Sequence, residues 1–103
     1  MPYSPLLDAA EIGKRLAALP EWQREGDAIA REVRFPSFAQ AIAFVARVAV
    51  LAESADHHPD IDIRWRKVRL ILTTHASGGL TARDLELAPA IDGIAAEFGA
   101  GDD

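Results

Sequence analysis

The clearest pattern in the chain is an amphipathic one between Phe38 and Ala52. Its apolar residues recur at the spacing of one helical face: Phe38, Ala41, Ile42, Val45, Val48, Ala49 and Ala52. Phe44 and Leu51 lie beside this stripe and widen it. A helix that covers a single sheet needs only the narrower stripe, so the wider arc predicts a second packing surface. Either the protein's own last helix or a second subunit fits that surface.

Three segments carry the pattern of a helix start, in which a side-chain oxygen accepts a hydrogen bond from an unpaired backbone N–H. They are Asp8-Ala9-Ala10-Glu11, Ser37-Phe38-Ala39-Gln40 and Thr81-Ala82-Arg83-Asp84. The chain is therefore predicted to contain three helices. Pro89 lies inside the third helical pattern and removes one backbone hydrogen bond. We expect that the helix either kinks there, or ends near Ala88 and restarts at Pro89.

The segments between these helices have the pattern of β-hairpins. Glu21 to Phe35 alternates imperfectly but carries the turn residues Gly26-Asp27 in its middle. Ile61 to His75 alternates more clearly, and two strands joined by a tight turn fit it best. The predicted order is α-β-β-α-β-β-α. This segregation of hairpins and helices predicts an α+β fold, with a four-stranded antiparallel sheet and three helices packed on one face.

Length and composition predict a single domain over residues 1–103. A chain of 103 residues forms one hydrophobic core, and half of its residues are apolar. Many of these are alanines, which bury little area each, so association with a second copy would add useful burial. The sequence has no cysteine, which excludes disulfides, thiolate zinc sites and cysteine nucleophiles.

Charge and hydropathy argue against nucleic acid and membranes as partners. The formal net charge is −5, whereas phosphate binding requires a clustered positive surface. One local basic group is interpreted as a solvated strand face: Arg64, Arg66, Lys67 and Arg69. The longest apolar run, Ala41 to Ala52, is interrupted by Arg47 and is too short to span a bilayer. The start from Met1 to Ser4 lacks a signal-peptide pattern, so we expect a cytoplasmic protein.

All three histidines lie at predicted ends of secondary-structure elements. His57 and His58 follow the second helix, where Pro59 disfavours helical geometry, and His75 ends the fourth strand. A helix end that meets a strand end at the rim of a sheet is a natural place for a pocket. Ordinary surface histidines, a three-histidine metal site and acid–base chemistry all remain open from this pattern. Adjacent histidines tend to diverge, which disfavours the metal site.

The segment Glu53-Ser54-Ala55-Asp56-His57-His58-Pro59-Asp60 resembles the signature of the pterin-4a-carbinolamine dehydratase family, and Trp65 fills the family's aromatic position. Three further segments follow in the family's order and spacing: Thr74-His75, Gly79-Leu80-Thr81 and Asp84-Leu85-Glu86-Leu87-Ala88. The resemblance runs from about Leu19 to Asp92. It departs from some members at Ile61-Asp62, where a bulky aromatic residue is missing.

The resemblance implies a four-stranded antiparallel sheet with helices on one side, and a homodimer or homotetramer. It also implies a reaction, the removal of water from 4a-hydroxytetrahydrobiopterin to give quinonoid dihydropterin. This step recycles the tetrahydrobiopterin that aromatic amino-acid hydroxylases use. The expected partner is a small pterin substrate, and the chemistry requires neither a metal nor a redox cofactor.

The proposed roles of the residues follow from this chemistry. We hypothesise that His57 and His75 handle the two protons of the dehydration, while His58 holds the pterin. Glu53, four residues before His57, is predicted to orient that histidine and favour its charged form. Four more residues are predicted to bind substrate: Asp60, Trp65, Asp84 and Trp22. A helix cap is the competing interpretation of Asp84, and a core position that of the tryptophans. The alternative function is a non-catalytic oligomeric interaction module.

Overall fold

The computed structural model describes residues 4–100. Most of the segment from Met1 to Ser4, on which the expectation of no signal peptide rests, lies outside the described residues. The elements are α1 (Ala9–Ala17), β1 (Gln23–Glu25), β2 (Ala28–Arg34), α2 (Phe38–Ala55), β3 (Asp60–Arg64), β4 (Lys67–Leu72), a short 3-10 helix (His75–Ser77) and α3 (Ala82–Glu97). This order confirms the predicted α+β fold class.

The four strands form one antiparallel sheet in the order β1-β2-β4-β3. The first hairpin turns at Gly26-Asp27, as predicted, and the second turns at Trp65-Arg66. Because side chains alternate along a strand, one face of the sheet carries the core, and its central residues are fully or almost fully buried. They are Ile29 and Val33 on β2, and Val68, Leu70 and Leu72 on β4.

The other face of the sheet carries charged side chains in pairs. Arg64 lies 3.2 Å from Asp62, and Lys67 lies 3.4 Å from Glu32. Arg69 on β4 pairs with the carboxylate of Glu25 on the edge strand β1. Three of the four basic residues that the sequence groups together are therefore neutralised by neighbouring acids. The fourth, Arg66, stacks on the Trp65 ring and donates to a backbone carbonyl.

All three predicted helix starts have the expected caps. The Asp8 carboxylate accepts from the Glu11 N–H at 2.8 Å, and the Ser37 hydroxyl accepts from the Gln40 N–H at 3.1 Å. At the start of α3 the capping box is reciprocal between Thr81 and residue 84. Pro89 lies inside α3, which is continuous across it, so the predicted restart at Pro89 is wrong. Pro89 is exposed, and it leaves the Leu85 carbonyl without the N–H that a helix normally supplies.

The inward face of α2 differs from the predicted stripe. Ala41, Phe44, Val48 and Ala52 are buried, whereas Phe38, Ile42 and Ala49 of the predicted stripe are exposed. The helix is rotated toward Phe44, whose ring centre lies 4.7 Å from that of Phe35 and 6.4 Å from that of Phe98. Aromatic pairs of this kind add stability beyond the area that they bury, so the largest side chain takes the centre of the core. Helix α3 provides a second packing surface for α2.

The length argument against a membrane span does not hold for α2. The helix has 18 residues from Phe38 to Ala55, and by length and composition alone it is long and apolar enough to cross a bilayer. One such helix is also found as the core helix of a compact domain, and four residues of α2 are buried against the rest of this one. Helix α2 nonetheless leaves a broad apolar arc exposed.

Candidate active site

The end of α2 determines where the first two histidines go. Asp56 has a left-handed backbone conformation, with φ 51° and ψ 43°. Its N–H donates to the Glu53 carbonyl at 3.3 Å, and the His57 N–H donates to the Ala52 carbonyl at 3.1 Å. This pair of bonds is a Schellman motif, which ends a helix and turns the chain sharply. The turn directs His57 into the protein, and it explains why His57 is buried while its neighbour His58 is exposed.

The third histidine lies in the loop between β4 and α3. Thr74 and Gly79 pair across the base of this loop, and His75 begins the short 3-10 helix between them. Gly78 ends that helix with φ 78°, a conformation that other residues rarely adopt. His75 is exposed, and its ring has no hydrogen-bond partner within residues 4–100.

The end of α2 and the loop between β4 and α3 meet at one cavity of about 240 Å³, and His57, His58 and His75 all lie in its wall. The remaining lining residues are Ser4, Asp56, Thr73, Thr74, Ala76 and Arg83. The three histidines thus meet at one cavity, but His75 does not end β4 as the sequence predicted, because the strand stops at Leu72 and His75 begins the 3-10 helix that follows. Among the described residues, no three histidine, aspartate or glutamate side chains form a group that could hold a metal ion.

His57 is held by a buried carboxylate. Its Nε2 lies 2.5 Å from Oδ1 of Asp84, and Asp84 is completely buried in the first turn of α3. The other carboxylate oxygen, Oδ2, accepts from the Thr81 N–H at 3.0 Å and from the Thr74 hydroxyl at 2.9 Å. A carboxylate that already accepts two hydrogen bonds is an acceptor for His57 as well, so His57 carries its proton on Nε2. In the neutral imidazole, Nδ1 is then an acceptor.

A chain of hydroxyl groups supports this carboxylate. The Thr81 hydroxyl accepts from the Arg83 N–H at 3.2 Å and lies 2.8 Å from the Thr74 hydroxyl. Because the Thr74 hydroxyl donates to Asp84, the Thr81 hydroxyl donates to Thr74. Each buried oxygen in the network therefore has a partner, which is the condition for a stable buried polar cluster. The network gives the Asp84 side chain one orientation.

Asp84 is held entirely within the protein. The prediction that it caps a helix is confirmed, since Oδ2 closes the capping box of α3. Its side chain has no solvent-exposed surface and accepts from His57, Thr74 and Thr81, so it does not lie in the cavity wall, where the predicted contact with substrate requires it. Sequence spacing did not indicate the contact with His57, which joins residues 27 positions apart.

Glu53 pairs with a different histidine from the one predicted. Its Oε2 lies 2.5 Å from Nε2 of His58, and both side chains are more than half exposed. The predicted pairing with His57 assumed that the helix continues to residue 57, where residues four apart share a face. Because the left-handed turn at Asp56 intervenes, His57 turns inward and His58 comes next to Glu53.

Arg83 ties the two halves of the site together from the outside. Its Nη2 donates to the Asp56 carbonyl at 2.6 Å and to the Ala55 carbonyl at 3.2 Å. These carbonyls belong to the end of α2, where backbone acceptors have no partner inside the helix. Consecutive residues of α3, Arg83 and Asp84, therefore hold the backbone end of α2 and the first histidine after it. The sequence pattern gave no sign of this role.

Three predicted substrate-binding residues lie away from the cavity. Trp22 is a core residue, 4% exposed, whose indole N–H donates to Asp92 at 2.8 Å. Trp65 lies at the tip of the β3–β4 hairpin, one strand length from Asp60, with φ 57° and 70% exposure. Asp60 begins β3, and its side chain alternates onto the charged face of the sheet. The cavity wall of this chain includes none of the three.

Comparisons with known proteins agree with this architecture. A family model described as pterin 4 alpha carbinolamine dehydratase matches residues 5–94. A protein of Roseiflexus castenholzii, named provisionally as a pterin-4-alpha-carbinolamine dehydratase, is 58% identical over 89 residues, which cover 86% of this chain and 96% of that protein. A protein of Nocardia farcinica with the same provisional name is 56% identical over 90 residues, covering 87% and 95% of the two chains.

Two solved structures extend the comparison to three dimensions. One, a transcriptional coactivator/pterin dehydratase from Brucella melitensis, has a TM-score of 0.84 and 35% identity, covering 87% of this chain and 98% of that one. The other is a pterin dehydratase-like protein described as a RuBisCO assembly factor in the alpha-carboxysome. It has a TM-score of 0.60 and 25% identity, covering 72% and 86%. The present chain belongs to the pterin-4a-carbinolamine dehydratase family.

Proposed function

We propose that this protein removes water from 4a-hydroxytetrahydropterins, with 4a-hydroxytetrahydrobiopterin as the substrate class, and yields quinonoid dihydropterins. The observation that carries the proposal is the cavity with three imidazoles in its wall, one of which is held by a buried carboxylate. Histidine suits this reaction because its reference pKa of about 6.5 lets it give and take protons near neutrality.

The reaction needs one proton delivered and one removed. The C4a–O bond breaks as the neighbouring ring nitrogen donates electrons, and the hydroxyl leaves as water once it has received a proton. The same nitrogen gives up its own proton, so a new C=N bond forms and the products are quinonoid dihydropterin and water. An acid at the leaving oxygen and a base at the N–H each contribute on the order of 10²–10⁴-fold.

His57 is the proposed base. Asp84 accepts a hydrogen bond from the Nε2–H of His57, which leaves Nδ1 free to take a proton from substrate. When His57 becomes an imidazolium, the buried carboxylate stabilises the charge at hydrogen-bond distance. This is the arrangement that orients the general base in serine-protease triads. The hydroxyl network around Asp84 keeps that carboxylate in place during the proton transfer.

His75 is the proposed acid and His58 the proposed binding group. The exposed His75 ring exchanges protons directly with solvent, which suits a group that must be reprotonated in each cycle. His58 and Glu53 form an exposed pair at the rim of the cavity, where their polar atoms are available to the pterin ring. The proposal gives Glu53 the role of positioning His58.

The test is a dehydration assay with the 4a-hydroxytetrahydropterin produced in situ. Its characteristic absorbance decays slowly without catalyst, and the wild-type protein is expected to accelerate that decay. His57→Gln, which keeps a polar side chain of similar length, is expected to lose most of the acceleration while it folds normally. A wild-type protein that leaves the decay unchanged would favour an interaction module, a role related to that of the pterin dehydratase-like assembly factor.

The proposed assembly is a homodimer or homotetramer that buries the exposed arc of α2. Phe38 is 51% exposed, Ile42 is 41% exposed and Val50 is 68% exposed. Small residues lie between them on the same exposed side: Ala39, Ala43, Ala46 and Ala49. A helix that is apolar around its circumference is normally buried on all sides, and small residues allow close helix contact. A second copy presents the same apolar arc, so a symmetric pair covers both.

The proposed physiological setting is the recycling of tetrahydrobiopterin in the cytoplasm. The quinonoid product is an oxidised dihydropterin, so a reductase reaction must consume it before the pterin is used again. The 4a-hydroxy substrate arises when a tetrahydropterin-dependent hydroxylase transfers one oxygen atom. The dehydratase therefore stands between a hydroxylation and a reduction.

A further inference from the structure

The segment that precedes α1, Ser4 to Leu7, runs along the rim of the histidine cavity, and we term it the rim segment. Ser4 lies in the cavity wall together with the three histidines. Leu6 pairs with Thr81 in an isolated antiparallel bridge, and the Leu7 N–H donates to the Leu80 carbonyl at 2.9 Å. The rim segment is thus bound to the strand-like residues that lead into α3.

A side-chain hydrogen bond ties the rim segment to the element that carries His75. The Ser77 hydroxyl donates to the Ser4 carbonyl at 2.5 Å, and Ser77 belongs to the same short 3-10 helix as His75. Close packing adds a second attachment. A Cβ on Gly79 would lie 3.1 Å from the Leu6 side chain, so Gly79 permits the rim segment to approach. The position of Ser4 therefore depends on the loop that positions the proposed acid.

We infer that Ser4 determines which substituent on the pterin ring the cavity accepts, an inference that rests on the proposed function. The histidines and their carboxylates provide the groups that handle protons. Ser4 is a small uncharged residue in the same wall, so it acts on size rather than on charge.

The size of the cavity makes this position sensitive. At about 240 Å³ the cavity is smaller than the roughly 300–1,000 Å³ of typical small-molecule sites. A bicyclic ring fills most of such a space, so a substituent must extend past the rim. A larger side chain at Ser4 would occupy the space that a long substituent needs and would leave a short one unaffected.

The experiment compares two substrates in the full-length protein. One is a 4a-hydroxytetrahydropterin with a methyl group at C6, and the other has a dihydroxypropyl group there. Ser4→Phe is expected to lower kcat/KM for the dihydroxypropyl substrate relative to the methyl substrate by about tenfold, the range that a steric mismatch in a pocket produces. Ala17→Phe, an exposed position at the end of α1, places the same ring outside the cavity and should leave the ratio unchanged.

A second pair of variants tests the attachment of the rim segment. Ser77→Ala removes the hydroxyl that holds the Ser4 carbonyl, and it should change the ratio of the two kcat/KM values at least threefold. Ser77→Thr keeps a hydroxyl and should restore the wild-type ratio. Loss of folded protein would lower both rates together and leave the ratio unchanged. The two Ser77 variants therefore test the inference about the rim segment even if Ser4→Phe does not fold.

The outcomes separate the two proposals. If the wild type accelerates neither substrate, the proposed function is wrong and the inference falls with it. If the wild type accelerates both, and the ratio is the same in Ser4→Phe, Ser77→Ala and wild type, the dehydratase proposal stands and the inference about the rim segment is wrong. A shift of the ratio in the Ser4 and Ser77 variants, without a shift in Ala17→Phe, supports the inference.

Discussion

Nε2 of His57 lies 2.5 Å from Oδ1 of Asp84, and neither side chain is more than 8% exposed. This contact joins the second residue after α2 to the first turn of α3, and it fixes the orientation of one imidazole in the cavity wall. Burying a carboxylate is costly unless it has its hydrogen bonds, and the Thr74 hydroxyl and the Thr81 N–H supply them to Asp84. The pair is therefore specialised for orientation, which is what a general base requires.

Asp84→Asn is expected to lower kcat on the order of 10²–10⁴-fold while the protein still folds. The amide oxygen takes over the cap at the Thr81 N–H, so the amide nitrogen faces His57 and donates to Nε2. The proton of His57 then moves to Nδ1, where it blocks the proposed base. Steady-state kinetics and circular dichroism measure the two effects. Glu97→Gln, at an exposed acid of the same helix, should change neither, and a near-wild-type kcat in Asp84→Asn would contradict the proposed role of His57.

His75→Ala is expected to abolish most of the dehydratase activity without a loss of stability. The ring is exposed and makes no hydrogen bond within the described chain, so its removal should change the free energy of unfolding by no more than about 0.5 kcal/mol. Thermal unfolding and the dehydration assay are measured on one preparation. Added imidazole should restore part of the activity. Full turnover in the variant would exclude His75 as the acid.

Glu53→Gln is expected to raise KM while it leaves kcat within a fewfold of the wild type. The Glu53–His58 pair is more than half exposed on both sides, so its contribution to stability is about 0–1 kcal/mol at most. Its loss should instead free the His58 ring from one orientation and weaken pterin binding. Substrate-concentration series measure both constants. A fall in kcat with unchanged KM would place Glu53 in the proton transfer and not in positioning.

Much of the fold could be predicted because its signals are local. The cap residues Asp8, Ser37 and Thr81 each satisfy a backbone N–H within three residues, so their pattern is visible in the sequence. The inward face of α2 was harder to predict because most of its residues are apolar. When polar residues do not mark the outer side, the pattern does not determine the rotation of the helix, and packing of the Phe44 ring against Phe35 decides it.

The site could be predicted only in part, because its local signals are visible in the sequence and its long-range contacts are not. The three histidines were identified because they lie at the ends of elements, and they do line one cavity. Their carboxylate partners depend on contacts that no local rule describes. Asp84 uses one oxygen for its local cap and the other for a histidine 27 residues away, and only the cap leaves a sequence pattern. The rule for residues four apart failed at Glu53 because the helix ends at Ala55.

Trp22→Phe is expected to lower the free energy of unfolding by about 1–3 kcal/mol and to leave kcat/KM unchanged. The indole N–H donates to Asp92, which also accepts from Arg31 at 2.5 Å and so joins β2 to α3. Removing one donor weakens this partly buried network, whose residues do not line the histidine cavity. Urea unfolding and the dehydration assay measure the two effects. A loss of activity with unchanged stability would return Trp22 to the substrate site.

The exposed arc of α2 is expected to mediate self-association. Ile42→Glu and Val50→Glu are expected to convert the proposed dimer or tetramer to smaller species, because each places a charge in an apolar contact between copies. Light scattering coupled to gel filtration measures the mass. The melting temperature of the wild type should rise with protein concentration, and that of the variants should not. Ala96→Glu, on the exposed side of α3, is the matched control. A wild type that is monomeric at all concentrations would contradict self-association, and a monomer that binds lipid vesicles through α2 would assign the arc to a membrane surface instead.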